Sequence, residues 1–188
     1  FKLEYCSKKE PRNCKLIKEG KSPVREDAIA TWHTPDVPDG DYILRLSAQD
    51  DNGYANETSP ILVTVDNTPP IALISEPKDG EIIKSNSRTQ IRGTAADKNF
   101  KGYIIEYARP GENRWILVYN GDSPKHDEIL GTWNSSGLEG IYLLKLTVWD
   151  KTGENKNESI VAITLDDTAP KVEISAPQNG EVVKNRVD

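Results

Sequence analysis

The chain has no methionine, only 2 phenylalanines, 2 histidines and 2 cysteines among 188 residues, and each scarcity narrows its chemistry. Zinc takes about four soft ligands, and only His33 and His126 stand beside the two cysteines, neither at finger spacing. Positive charge is also short: 24 Lys+Arg face 30 Asp+Glu, a formal net charge of −6. Such a surface does not neutralise phosphates, so nucleic acid is not an expected partner. No apolar run approaches the roughly 18 residues of a membrane span, and the N-terminus lacks the order of a signal peptide. No Gly-x-Ser-x-Gly elbow is present, and no carboxylate pair stands out as a glycosidase dyad. No catalytic residue is assigned, and the chain is not read as an enzyme. Beginning at Phe1 and lacking Met, it reads as an excerpt from a longer, exported polypeptide.

What is present is a repeat. Gly140-Ile141-Tyr142-Leu143-Leu144-Lys145-Leu146-Thr147-Val148-Trp149-Asp150 copies Gly40-Asp41-Tyr42-Ile43-Leu44-Arg45-Leu46-Ser47-Ala48-Gln49-Asp50. In each, apolar residues alternate with polar ones at the period of a half-buried β-strand. The offset of about 100 residues is the size of one small β-sandwich. The linker Val65-Asp66-Asn67-Thr68-Pro69-Pro70 returns as Leu165-Asp166-Asp167-Thr168-Ala169-Pro170, and Ile71 to Ile83 returns as Lys171 to Val183. Proline fixes φ and removes a donor, so each linker is expected to be short, extended and stiff.

The boundaries follow. Residues 1–66 form an incomplete first unit lacking its early strands, 67–70 a linker, 71–166 a complete unit, 167–170 a second linker and 171–188 the start of a truncated third. Strands are expected near 71–75, 88–96, 101–108, 115–119, 128–134, 141–150 and 158–166 of the complete unit. In the first unit they are expected at 1–5, 14–18, 28–32, 42–50 and 60–66. No segment carries a 3.6-residue apolar period with caps, so almost no helix is expected. The fold class is all-β, with tandem antiparallel sandwiches of about seven strands each.

Cys6 and Cys14 flank a polar, Pro-containing turn between two short apolar strands, a spacing that suits a disulfide across a hairpin. A free thiol pair is the alternative. If the disulfide forms, the protein lives in an oxidising compartment.

The corner Leu138-Glu139-Gly140-Ile141-Tyr142, its copy Val37 to Tyr42, the turn Asp150-Lys151-Thr152-Gly153 and the linker Asp66 to Pro70 carry a family likeness. Through them the chain resembles the immunoglobulin-like or fibronectin type III-like repeats of large bacterial cell-surface and secreted proteins. That resemblance implies an extracellular, cell-surface or secreted location, and a tyrosine corner at Tyr42 and Tyr142. The cysteines are neighbours on one hairpin, so they are not a disulfide joining two sheets. Trp32 and Trp133 also fall late in their units, which favours a fibronectin-like or generic bacterial variant.

Two ligand classes have residues behind them. Asp66 and Asn67 at one junction and Asp166 and Asp167 at the next, joined by Asp97 or Asp150 from nearby loops, offer hard oxygen ligands for calcium between units. The alternative is that these side chains accept backbone N–H bonds in turns. Trp115, Tyr119, Tyr54 and above all Trp149, on the polar side of its strand, offer a contact surface for a cell-wall or surface glycan. The expected function is a structural or assembly segment of a large extracellular protein, a surface-layer protein or adhesin stalk, acting through self-association or contacts with neighbouring units. The alternatives are an accessory non-catalytic region of a secreted hydrolase or protease, or an adhesive module that binds carbohydrate or protein. The tail from Lys171, or a neighbouring molecule's edge, is expected to pack on the incomplete first unit.

Overall fold

A computed structural model describes residues 1–184 and is all-β in its regular structure. Five strands make the first sheet: β1 (Lys2–Ser7), β2 (Cys14–Glu19), β3 (Gly40–Gln49), β4 (Ala55–Glu57) and β5 (Ile61–Val65). Its order is β2-β1-β3-β4, with β5 also on β3, and every pairing is antiparallel. Pro60 separates β4 from β5, because proline has no N–H to continue a ladder.

Eight strands follow: β6 (Ile71–Glu76), β7 (Glu81–Lys84), β8 (Arg88–Ala96), β9 (Phe100–Ala108), β10 (Ile116–Gly121), β11 (Lys125–Asn134), β12 (Gly140–Asp150) and β13 (Lys156–Asp166). They divide into sheets of order β11-β8-β6 and β10-β9-β12-β13-β7, with β7 parallel to β13 and the other pairs antiparallel. Ile74, Ile91 and Ala95 of the smaller sheet pack against Ile105, Leu144, Leu146 and Ile163 of the larger, closing a two-sheet sandwich. Trp133 from β11 lies in this core at 1% exposure. Strand β6 runs so close to β8 that a Cβ on Gly93 would meet the Leu73 carbonyl oxygen at 1.9 Å.

Leu46 stands opposite Leu3 in the first sheet as Leu146 stands opposite Ile105 in the sandwich. Leu146 is fully buried, whereas Leu46 and Leu3 are only half-buried. The difference is the second layer: β6, β8 and β11 cover the sandwich sheet, and no strands cover the first sheet among the described residues.

Two expectations need correction. Residues 28–32 form no strand, although Trp32 does pack on Tyr5 and Tyr42. The matching β11 is held by its ladder to β8, and without such a partner the backbone has nothing to bond. Residues 171–176 form no strand for the same reason, and the tail through Lys184 is exposed. Residues 185–188 of the expected third unit lie outside the described residues. The sandwich has the seven expected strands together with the four-residue β7, which shows no alternation to read.

Candidate functional site

The candidate site lies where Asp66 leaves the first sheet and the chain enters the sandwich through Pro69 and Pro70. Asn67 is fixed to the first sheet's side: its amide donates to Asp39 Oδ1 at 2.7 Å, and its side chain donates to the carbonyls of Thr34 at 3.1 Å and Val37 at 2.9 Å. The Thr68 hydroxyl donates to Asp39 Oδ2 at 2.5 Å. These donors, the Thr68 hydroxyl foremost, hold the Asp39 carboxyl below its ordinary pKa.

From the sandwich side, Asn99 in the β8–β9 turn donates to Asp66 Oδ2 at 2.5 Å. Asn155, before β13, donates to the Asp66 carbonyl at 2.9 Å and to Asp150 Oδ2 at 3.0 Å. Asn157 donates to the carbonyl of the buried Pro70 at 3.0 Å. The three donors from the sandwich side are short amide side chains on a turn or strand end, so the linker is gripped from both sides.

This grip brings three carboxylates together. Asp66, Asp97 and Asp150 each offer a ligand atom, all within 4.8 Å of one another. Asp150 is completely buried at the end of β12, and its Oδ1 closes a turn by accepting from the Thr152 amide at 2.9 Å and hydroxyl at 2.5 Å. Asp97 is half-buried and its carboxyl titrates above the ordinary value. Burial is the main cause; the charges of Asp66, Asp150 and Asp39 add to it, and the bond from the Asn99 amide opposes it. Two oxygens that flank a calcium ion at about 2.3–2.6 Å lie at most about 5 Å apart, which this cluster satisfies. Beside it opens a cavity of ≈ 510 Å³, lined by Asp39, Val65, Asp66, Ile71, Asp97 and His126 among others.

The other sequence-selected residues stand elsewhere. Asn67 spends its side chain on Thr34 and Val37, Asp166 accepts from the Thr168 amide at 2.8 Å, and Asp167 accepts from Asn86 at 2.8 Å. Of these only Asp166 makes the backbone turn bond of the alternative reading, and Asp66, Asp97 and Asp150 make such bonds too, accepting from the amides of Thr68 at 3.2 Å, Asn99 at 2.5 Å and Thr152 at 2.9 Å. His33 is exposed and 3.6 Å from Asp36, away from the junction. Cys6 and Cys14 face each other across the β1–β2 hairpin and are joined by a disulfide. Tyr42 donates to the Pro38 carbonyl at 2.7 Å, as a tyrosine corner does. Tyr142 makes no counterpart bond among the described residues; its ring is held by Tyr107 and Trp133, with the Arg109 guanidinium 4.8 Å from its centroid.

The aromatics do not gather. Trp149 is half-buried on the outer face of β12, Trp115 lies under Lys145 Nζ at 4.0 Å, and Tyr54 is exposed on the first sheet's side. Among the described residues no ring pair joins any two of Tyr54, Trp115, Tyr119 and Trp149.

Sequence reasoning missed Asp39, Asn99, Asn155 and Asn157. The signal for Asn99 was Asp97-Lys98-Asn99, two oxygen-bearing side chains in one tight turn.

No protein-family model matches the sequence, and no curated protein matches it. Among solved structures, the chain is similar to the fibronectin(III)-like modules of Clostridium thermocellum CbhA, at 17% identity over 92% of this chain and 83% of that one, with a TM-score of 0.45. It is also similar to an engineered protein, at 17% identity and a TM-score of 0.37, over 52% of this chain but only 20% of the other.

Proposed function

We propose that the chain is a structural segment of a large extracellular protein, built of tandem sandwich units, in which the junction at Asp66 sets the angle between neighbours and takes a calcium ion. The observation that carries this reading is the convergence of Asp66, from one side of the linker, with Asp97 and Asp150, from the other. Three like charges in a partly buried space repel, and that repulsion adds to the burial that chiefly raises the Asp97 carboxyl. A bound divalent cation would turn that repulsion into attraction across the linker. Asp66, Asp97 and Asp150 would supply carboxylate oxygens, and water would complete the shell. The disulfide supports an oxidising, extracellular setting. A stiff array of this kind suits a surface-layer protein or an adhesin stalk, whose work is to hold distance and make lateral contacts.

Titration calorimetry with calcium tests the site. The expected result is one site per chain that is lost in Asp97→Asn and kept in Asp167→Asn. Equal heats from both variants, or none from the parent chain, overturn the metal reading.

A further inference from the structure

The outer face of the sandwich's larger sheet carries apolar side chains that the core does not use. Residues directly opposed across an antiparallel ladder share a face, so the pairings set Leu117, Glu106, Lys145 and Ile160 in one row across β10, β9, β12 and β13. Leu117 is 58% and Ile160 50% exposed. Between them the Glu106 and Lys145 side chains are drawn down to 20% and 16% exposure and joined at 3.1 Å. The ring of Trp115 caps the Lys145 ammonium at 4.0 Å. The row therefore reads apolar, acid, base, apolar, and it is neutral on a chain whose formal net charge is −6. Further along the same face Asn120 and Glu158 stand on its two margins, beside Ile104 and Thr147, and beyond them Trp149 lies opposite Gly102.

The first sheet keeps the pattern. Leu16 stands opposite Glu4, and Glu4 opposite Arg45, on the side away from Leu3, Tyr5, Leu44 and Leu46. Leu16 is 52% exposed. An exposed leucine held beside an acid and a base in both units, on the face that neither unit uses for a core, points to a contact outside the unit.

The row is complementary to itself. A two-fold axis that runs along the strands, midway between β9 and β12, lays each row over its own reverse. Glu106 of one copy then faces Lys145 of the other, and Leu117 faces Ile160. The same rotation sets the Asn120 amide against the Glu158 carboxylate. It also sets Trp149 against Gly102, which has no side chain to displace. An axis across the strands would instead bring Glu106 onto Glu106 and Lys145 onto Lys145, so charge selects the first arrangement.

We infer that two copies of this chain pack through the outer faces of their larger sheets about this axis, as aligned sheets about 10 Å apart. Five strands about 4.8 Å apart, the longest of 11 residues, present on the order of 700 Å² per copy, which is the size of a standard specific interface. The Lys145–Glu106 pair is already joined within each copy, so its burial strands no lone charge. The same patch serves both copies, so the contact closes at a dimer of sandwiches. Where neighbouring units repeat the row, as Leu16, Glu4 and Arg45 do, the contact is made again beside the first. It gives the lateral contacts of the structural reading a definite surface, but it needs no calcium and fails separately from the junction site.

Sedimentation velocity of the full chain in chelator, from about 10 µM to 1 mM, tests it. The parent chain is expected to shift from monomer to dimer with concentration. Ile160→Glu and Leu117→Lys should each weaken that association at least about tenfold. Leu73→Glu, on the exposed face of the smaller sheet, should leave it unchanged. Because Leu117 meets Ile160 across the axis, an equal mixture of the I160E and L117K chains should recover a heterodimer that neither forms with itself, a rescue that misfolding cannot mimic. Monomer throughout in the parent, equal association of I160E and L73E, or a mixture no stronger than its separate components overturns the proposal.

Discussion

Asn99 Nδ2 donates to Asp66 Oδ2 at 2.5 Å, tying the turn between β8 and β9 to the end of the first sheet. Asn155 adds a second tie by donating to the Asp66 carbonyl and to Asp150 at once. A bond to a carboxylate is worth about 1.5–3 kcal/mol when shielded from water and less when partly exposed. Asn155→Ala is therefore expected to loosen the linker while leaving the sandwich core intact. Limited proteolysis should show faster cleavage within 66–70 and an unchanged melting transition of the sandwich. An unchanged cleavage rate would mean that the Asn155 tie does not hold the linker.

Asp97 sets the pH behaviour of the junction. Its carboxyl titrates above 3.8 in the folded chain, so the folded state binds its proton more tightly than the unfolded state does. The stability it contributes is complete below the unfolded pKa and is lost as pH rises through the raised folded value. Asp97→Asn should leave stability flatter across that window and raise the melting temperature by about 1–3 °C at pH 7 in chelator. Calcium should protect the parent chain against heat but not the variant, and that protection should fade as pH falls through the Asp97 titration. Melting curves from pH 4 to 7, with and without calcium, check both signs.

The two equivalent tyrosines are held differently. Tyr42 donates to Pro38, whereas Tyr142 is held by ring packing. Tyr42→Phe should destabilise the first sheet by about 1 kcal/mol, and Tyr142→Phe should cost close to nothing. Chemical denaturation followed at Trp32 and Trp133 separates the two regions. A loss at Tyr142 equal to that at Tyr42 would contradict the geometry.

Gly93→Ala should cost about 3 kcal/mol or more, because its methyl would fall on the Leu73 carbonyl and force β6 from β8. Thermal unfolding reads it. A loss below about 1 kcal/mol would show that the two strands separate easily.

Much of this architecture is legible in the residues, and the exceptions have physical causes. Tyr142, Leu144, Leu146 and Val148 alternate with polar or half-buried neighbours over a long strand, so β12 declares itself. Glu81-Ile82-Ile83-Lys84 is too short to alternate, and β7 exists only because β13 offers an edge. Residues 28–32 look like a strand because Trp32 matches Trp133, but a strand is a relation between two segments, and the one that would pair here is not among the described residues. At the junction, carboxylates are visible as hard oxygens, yet their convergence depends on how the linker turns. Asp66 joins Asp97 and Asp150, while Asn67 one residue later faces back to Thr34 and Val37. The asparagines that make the grip are unremarkable in sequence, since Asn is common in turns.

Small-angle scattering of the chain in calcium and in chelator, at concentrations low enough to keep it monomeric, tests the central claim most directly. The account predicts that calcium narrows the distribution of maximum dimensions and that Asp97→Asn abolishes the change. Identical profiles in calcium and chelator would contradict it, leaving Asp66, Asp97 and Asp150 as linker and turn residues without a metal.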